Sequence, residues 1–409
     1  MSNDKLPVYI IPEFSSSSSP SSSFGGFEFL ASVALAALEE DTASSAAHTR
    51  RYIWRDRHSD HERLMNMYFV DEPMFEDDVF RTRYRMSRRL FLKIVEDITA
   101  SFPWFCSSAN AAGIRGFSAI QKCTCALRQL AYDNLADNYD EGLSFSTRTT
   151  RECLDNFCIA IKYLYGEEYL RYPTSHDVAL LYEAHEVRDH FPGMIGSIDC
   201  THWTLRGQYH QGDHERPTII LEAVASYDLW FQHAYFGVSG SNNDINVLKQ
   251  SPLFIPEVNG KSPEYGFTVN GRRYNRGYYL GGGLDREGGH QILGIERLVN
   301  GLDRKLQESA KKDVERAFGL LKNKWAIIDR PTRMRDKEKI TNAMYACVFL
   351  HNMILKDDSN AISPVYIMDP PNDLCATDPN FLYNLRNEET HVGDLRDIME
   401  HVGDLDIDV

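Results

Sequence analysis

The stretch Thr218–Ser226, TIILEAVAS, is an almost unbroken apolar run, and a second apolar run follows at Gln232–Val238. Runs this short, rich in β-branched and aromatic residues, read as strands rather than buried helices. The Tyr227-Asp228-Leu229-Trp230 link between them is short enough for a hairpin. Upstream, Met194-Ile195-Gly196-Ser197-Ile198 reads as a further strand ending in Asp199. Downstream, Gly240-Ser241-Asn242-Asn243-Asp244 is a turn into a short helix carrying Val247 and Leu248. Tyr278-Tyr279-Leu280 then forms a fourth strand that runs into Gly281-Gly282-Gly283. A helix from about Gln307 to Trp325 turns Val314, Phe318 and Leu321 inward, and a last helix runs from about Lys337 to Ile354.

Three strands, a helix, another strand and then helices is the order of an RNase H-like α/β fold. The chain before it has a different texture. Residues 1–48 contain Ser15–Ser19 and Ser21–Ser23 around Pro20 and are expected to be disordered. Residues 49–185 read as helical and helix-turn-helix-like. Ser87 is placed to cap a helix with Leu90, Phe91, Ile94, Val95 and Ile98 inward. Ser118 is placed to cap another, with Ile120, Cys123, Leu127 and Leu130 as its stripe. After a polar break at 133–142, Ser146 or Thr149 starts a third with Leu154, Phe157 and Ile161 inward, and Thr149–Glu152 fits a capping box. Its first turns would expose Thr147, Arg148, Thr150 and Arg151, a composition that suits a recognition helix and equally an ordinary amphipathic surface. The α/β domain spans 190–356, and 357–409 is an acidic tail.

Charge sharpens this division. From Leu355 onward there are 13 acidic residues against 3 basic, so most of the net charge of −15 belongs to the tail. In the body, arginines cluster at 50, 51, 55 and 57 and again at 81, 83, 85, 88 and 89. Such clusters suit a phosphate backbone, or an ion-paired surface given Asp56, Asp60, Glu76, Asp77 and Asp78 nearby. No apolar run reaches the eighteen or so residues of a membrane span, so no membrane partner is expected. The eight cysteines form no CxxC pair and read as free buried thiols in a reducing compartment.

Cleavage of a phosphodiester by two divalent metals needs carboxylates brought from distant chain positions to one site. Asp199 at a strand end and Glu315 on a helix are the natural pair, with Asp244 as a third. Glu315 shares its helix face with Lys311 and Lys322. Each acid also has a plain structural reading: a turn aspartate for Asp199, a helix cap for Asp244, a surface partner of Lys311 for Glu315. His210, Asp213 and His214 stand at possible metal-ligand spacing in a polar loop, and His202 reads as packed rather than ligating.

Seven segments together resemble the plant PIF/Harbinger-type transposases and their domesticated derivatives. They are RRYIWRDRHSDHERL (50–64), FPGMIGSIDCTHW (191–203), RPTIILEAVASYDLW (216–230), GSNNDINVLKQSPLF (240–254), FTVNGRRYNRGYYL (267–280), KKDVERAFGLLKNKWAII (311–328) and ACVFLHNMI (346–354). A weaker match lies near Asp397–His401. The resemblance implies a helix-turn-helix-like part followed by an RNase H-like DDE nuclease domain. It places the catalytic and metal-binding roles on Asp199, Asp244 and Glu315, with magnesium or manganese as cofactor. It further implies DNA as partner, a possible separate DNA-binding protein, no small-molecule substrate, and a nuclear, possibly also cytoplasmic, location.

One departure bears on activity. The family carries a metal-binding aspartate after the YYL strand, where this chain has Gly282, 33 residues before Glu315. Asp285 would replace it only if the altered loop folded back. The sequence therefore supports a metal-dependent nuclease-type protein with impaired catalysis. The alternative is a non-enzymatic DNA- or chromatin-associated protein of transposase origin.

Overall fold

The computed structural model describes residues 55–107, 109, 113, 115–205, 217–258, 265–281, 292–294, 301–369, 397–398 and 401. The chain divides into two units, Met1–Trp54 and Arg55–Val409, and every described residue belongs to the second. The serine-rich segment, Arg50 and Arg51, the loop with His210, Asp213 and His214, and Gly282 and Asp285 lie outside the described residues.

A helical region comes first: α1 (Arg57–Tyr68), α2 (Asp77–Tyr84), α3 (Arg88–Ser101), α4 (Ala119–Tyr132), α5 (Asn138–Leu143), α6 (Thr147–Tyr169) and α7 (Ser175–Asp189). Local sequence sets the helix starts. The hydroxyls of Ser87, Ser118 and Ser146 accept the backbone N–H groups of Leu90, Gln121 and Thr149, and Gln121 completes a capping box with Ser118. Ser146, not Thr149, is thus the cap of α6. The five apolar residues expected inward on α3 are all buried, as are Cys123, Leu127 and Leu130 on α4; Ile120 is only partly so. Rings of Tyr68, Phe80, Tyr84 and Phe91 join α1, α2 and α3, with Phe80 and Tyr84 stacked at 4.1 Å.

Two expectations for this region change. Thr150 is buried, so the start of α6 presents Thr147, Arg148 and Arg151 without it. The 133–142 stretch read as broken contains α5, whose Asp140 takes a bidentate bond from Arg55 at 2.7 and 2.9 Å.

A mixed α/β region follows. Its strands are β1 (Met194–Thr204), β2 (Thr218–Ala225), β3 (Phe231–Ser239), β4 (Phe267–Val269), β5 (Arg272–Tyr274), β6 (Tyr278–Gly281) and β7 (Ile292–Gly294). The helices among and after them are α8 (Asp244–Gln250), α9 (Ile255–Val258), α10 (Gly301–Lys324), α11 (Ala326–Asp329) and α12 (Lys337–Asp357). The main sheet has the order β3-β2-β1-β6-β7, with β1, β2 and β3 antiparallel and β6 and β7 parallel to β1. β4 and β5 form a separate hairpin.

The β2 sequence is apolar apart from Thr218 and Glu222 because both of its faces are covered. Leu221, Ala223 and Ala225 pack with Val314, Phe318 and Leu321 of α10 and with residues of α12. Val224 packs with Ile198 of β1, Val178 and Leu181 of α7 and Leu248 of α8. The turn from α7 into β1 requires Gly193: its φ is +80°, and a Cβ there would fall 2.4 Å from the Phe267 ring.

Asp199 does not end its strand. β1 continues to Thr204 because its ladder with β2 holds as far as Thr204↔Thr218, whereas its parallel ladder with β6 stops at Ile198↔Gly281. Asp199 is therefore the first β1 residue beyond the described pairing with β6.

Candidate functional site

Residues 197, 199 and 201 share one face of β1, since side chains alternate along a strand. That face looks onto α10. Ser197 Oγ accepts the backbone N–H of Val314 at 3.1 Å, and Lys322 Nζ donates to Thr201 Oγ1 at 2.7 Å. Asp199 lies between these anchor points, in the field of Lys311 and Glu315 from the same helix. Burial is the main cause that holds its carboxyl above the ordinary aspartate value; Asp244 and Glu315 add to the rise, while the Cys200 N–H and Lys311 oppose it.

Cys200 points to the opposite face, toward α8. Asn243 caps α8 by accepting the N–H of Asn246, so Asp244 is its first residue rather than its cap. The Asp244 carboxylate instead lies beside the Cys200 thiol, and burial together with Asp244 and Glu222 pushes that thiol far up. Asp244 and Glu315 thus both reach Asp199 through their fields, Asp244 from the α8 side, where it also lies beside Cys200, and Glu315 from α10. Among the described residues no three His, Cys, Asp or Glu side chains are gathered as a metal-binding group. A two-metal centre needs such a group, and the position where the resemblance implies another carboxylate carries Gly282. The described donor set does not fit that centre.

One group was missed in the sequence. Glu222 is a buried acid in β2, paired in register with Cys200. Its Oε1 accepts the Ser251 hydroxyl at 2.7 Å and lies 3.4 Å from His233 Nε2, while Oε2 is buried without a partner. The signal was present: it is the one charge inside TIILEAVAS. His202 is half-buried, with Nδ1 3.0 Å from Thr218 Oγ1.

The described arginines of the second cluster are largely used within the fold. Arg81 pairs with Asp358 at 2.7 Å, Arg88 with Asp77 at 2.9 Å and Arg89 with Asp357 at 2.5 Å. Arg83 lies over the Phe75 ring at 4.0 Å. The seven described cysteines are free thiols, five of them buried. No helix among the described residues is long and apolar enough to cross a membrane.

The Asp199 environment makes a direct test. A carboxyl whose folded value lies above its unfolded value contributes stability below the unfolded pKa and loses it as pH rises through the folded one. At neutral pH the Asp199 carboxyl is therefore a cost to the fold. Asp199→Asn is expected to raise Tm by about 1–3 °C at pH 7, an effect of the size of ~1 kcal/mol or less in a domain this large. A lowered Tm in a thermal melt would show that the carboxylate is instead well paired.

Comparison with known proteins adds the ancestry. A family model described as plant transposon protein matches residues 167–362, and a domain of unknown function matches 61–99. The Arabidopsis thaliana protein named ALP1-like is 23% identical over 307 residues, covering 68% of this chain and 70% of that protein. Antagonist of Like Heterochromatin Protein 1, also from Arabidopsis thaliana, is 23% identical over 313 residues, covering 69% and 74%. No solved structure matches. With the motifs of β1, α8 and α10 set in this order and the family model spanning the sheet, these likenesses support a PIF/Harbinger transposase-derived family for the chain.

Proposed function

We propose that this protein is an RNase H-like descendant of a DDE transposase that no longer cuts DNA and serves as a nuclear, DNA- or chromatin-associated binding protein. The observation that carries this reading is the incomplete set of acids. Asp244 and Glu315 act on Asp199 through their fields, no three His, Cys, Asp or Glu side chains gather as a metal-binding group among the described residues, and the sequence has glycine at 282. In-line displacement by two metals needs both the attacking and the leaving oxygen to be clamped. Such a set supports at most weak magnesium or manganese binding. The strand order β3-β2-β1-β6-β7, with three antiparallel and two parallel strands, supports the RNase H-like reading.

For the binding role, Arg151 at the start of α6 borders a cleft of about 640 Å³ together with Arg333, Arg335 and Lys339. Arg333 and Lys339 are paired with Asp133 and Asp155, so the surface is mixed rather than purely cationic. One relative is named as an antagonist of Like Heterochromatin Protein 1, which draws the proposal toward chromatin. A separate DNA-binding protein as partner fits such a role, because Arg81, Arg88 and Arg89 of the second cluster are already ion-paired.

The test is plasmid nicking by the purified full chain with magnesium or manganese. The wild type is expected to leave supercoiled plasmid intact, and Gly282→Asp to recover nicking if the strand end is otherwise in place. Wild-type nicking that disappears in Asp199→Ala would defeat the proposal, because the remaining acids would then suffice.

A further inference from the structure

Asp397 and Ile398 belong to a tail expected to be merely acidic, yet they are only 5% and 2% exposed. Both dock on the β4–β5 hairpin. Arg272 Nη1 donates to the two Asp397 carboxylate oxygens at 3.1 and 3.0 Å, and the Tyr274 hydroxyl donates to one of them. Asn270 Nδ2 donates to the Asp397 carbonyl at 2.8 Å. Ile398 enters the core formed by Phe267, Val269, Tyr278 and their neighbours. The hairpin thus presents a cation, two neutral donors and an apolar floor.

The sequence around this plug is duplicated. His391-Val392-Gly393-Asp394-Leu395 recurs as His401-Val402-Gly403-Asp404-Leu405, and an Asp-Ile pair follows each copy, Asp397-Ile398 one residue after the first, across Arg396, and Asp406-Ile407 directly after the second. The contacts above use an aspartate side chain, its carbonyl and an isoleucine side chain, all of which the second pair also offers.

We infer that the β4–β5 hairpin is a binding socket for an aspartate–aliphatic pair in a peptide, and that the tail carries two interchangeable occupants, Asp397-Ile398 and Asp406-Ile407. The carboxylate supplies charge-assisted bonds to Arg272 and Tyr274, and the branched side chain fills the floor. Seating the second pair lengthens the tether from Asp369 by nine residues (406 − 397), from 28 to 37. That lowers the closure probability by less than about two-fold, so neither pair excludes the other on entropic grounds. Arg272 itself stays 68% exposed, which leaves the rim of the socket open for exchange.

Hydrogen exchange of residues 267–274 in the full chain tests this, with Tm as a check that each variant folds. Asp397→Asn with Ile398→Ala, or Asp406→Asn with Ile407→Ala, is expected to change exchange by no more than about two- to three-fold, because the other pair takes the socket. All four substitutions together should accelerate it by about ten-fold or more, as should Arg272→Met in the wild-type tail. A synthetic peptide of residues 391–400 should restore protection to the four-site variant. If the first double variant alone exchanges as fast as the four-site variant, the second pair does not seat and the inference falls. Wild-type protection in the four-site variant would overturn the socket itself.

Discussion

Asn352→Ala is expected to destabilise the protein by about 3–5 kcal/mol, the largest single-residue effect identified, because it leaves three buried backbone groups without partners. Asn352 sits fully buried in α12, amid apolar residues. Its Oδ1 accepts the Phe231 N–H at 3.0 Å, and its Nδ2 donates to the carbonyls of Tyr169 at 2.6 Å and Phe231 at 2.8 Å. One amide therefore ties the end of α6 and the start of β3 to α12. Both of those backbone ends lie where a helix or ladder stops, so no neighbouring main-chain group can replace it. Chemical denaturation of the two proteins checks this. A loss below about 1 kcal/mol would mean that water or a shifted backbone satisfies the exposed groups.

His351, its neighbour, is expected to make stability fall as the solution is acidified from pH 6.5. It is fully buried, with Nε2 donating to the Leu229 carbonyl at 2.9 Å and Nδ1 left without a partner. Burial, aided by Lys324, pushes its pKa down to about 3. Protonating Nδ1 would place both a charge and an unpaired donor in the core. The sign follows from linkage. A histidine depressed in the folded state takes up its proton mainly on unfolding, so the stability it contributes is present above the unfolded value and is lost as pH falls from 6.5 toward 3. Between pH 6.5 and about pH 4.5 the loss is on the order of 2–3 kcal/mol. Carboxylates add their own acid dependence at the lower end, so the comparison must be internal. His351→Gln keeps a donor for Leu229 but cannot titrate, and its stability should decline more shallowly across this window. Parallel pH profiles for the two proteins would refute the assignment.

Much of the fold can be argued from short stretches of sequence, because caps and periodicity are local physics. Ser87, Ser118 and Ser146 each meet an N–H three residues ahead, whatever lies elsewhere in the chain. The apolar runs at 218–226 and 232–238 became adjacent antiparallel strands because their link is short. One local signal was overlooked. Asn270-Gly271 is a hairpin dipeptide, and its φ values of +48° and +78° give the turn that joins β4 to β5.

The candidate site was legible as residue types and only partly as geometry. Asp199 and Glu315 were singled out by their positions on a strand and a helix, and α10 does bring Glu315 into the field of Asp199. That Asp244 would lie beside Cys200 as well as in the field of Asp199 depends on the pairing that carries β1 past Asp199 to Thr204. No local pattern encodes that length.

By itself the sequence determined the order and kind of the elements, the ancestry, and the glycine at 282, since each is written in contiguous residues. Only the tertiary structure decided what the charged and polar side chains do. Arg81 and Arg89 meet Asp358 and Asp357 at the end of α12, Asn352 closes backbone ends from α6 and β3, and Asp397 finds Arg272 more than a hundred residues away. A long flexible side chain can serve any partner within its reach, so its role is set by which distant segments the folded core brings beside it.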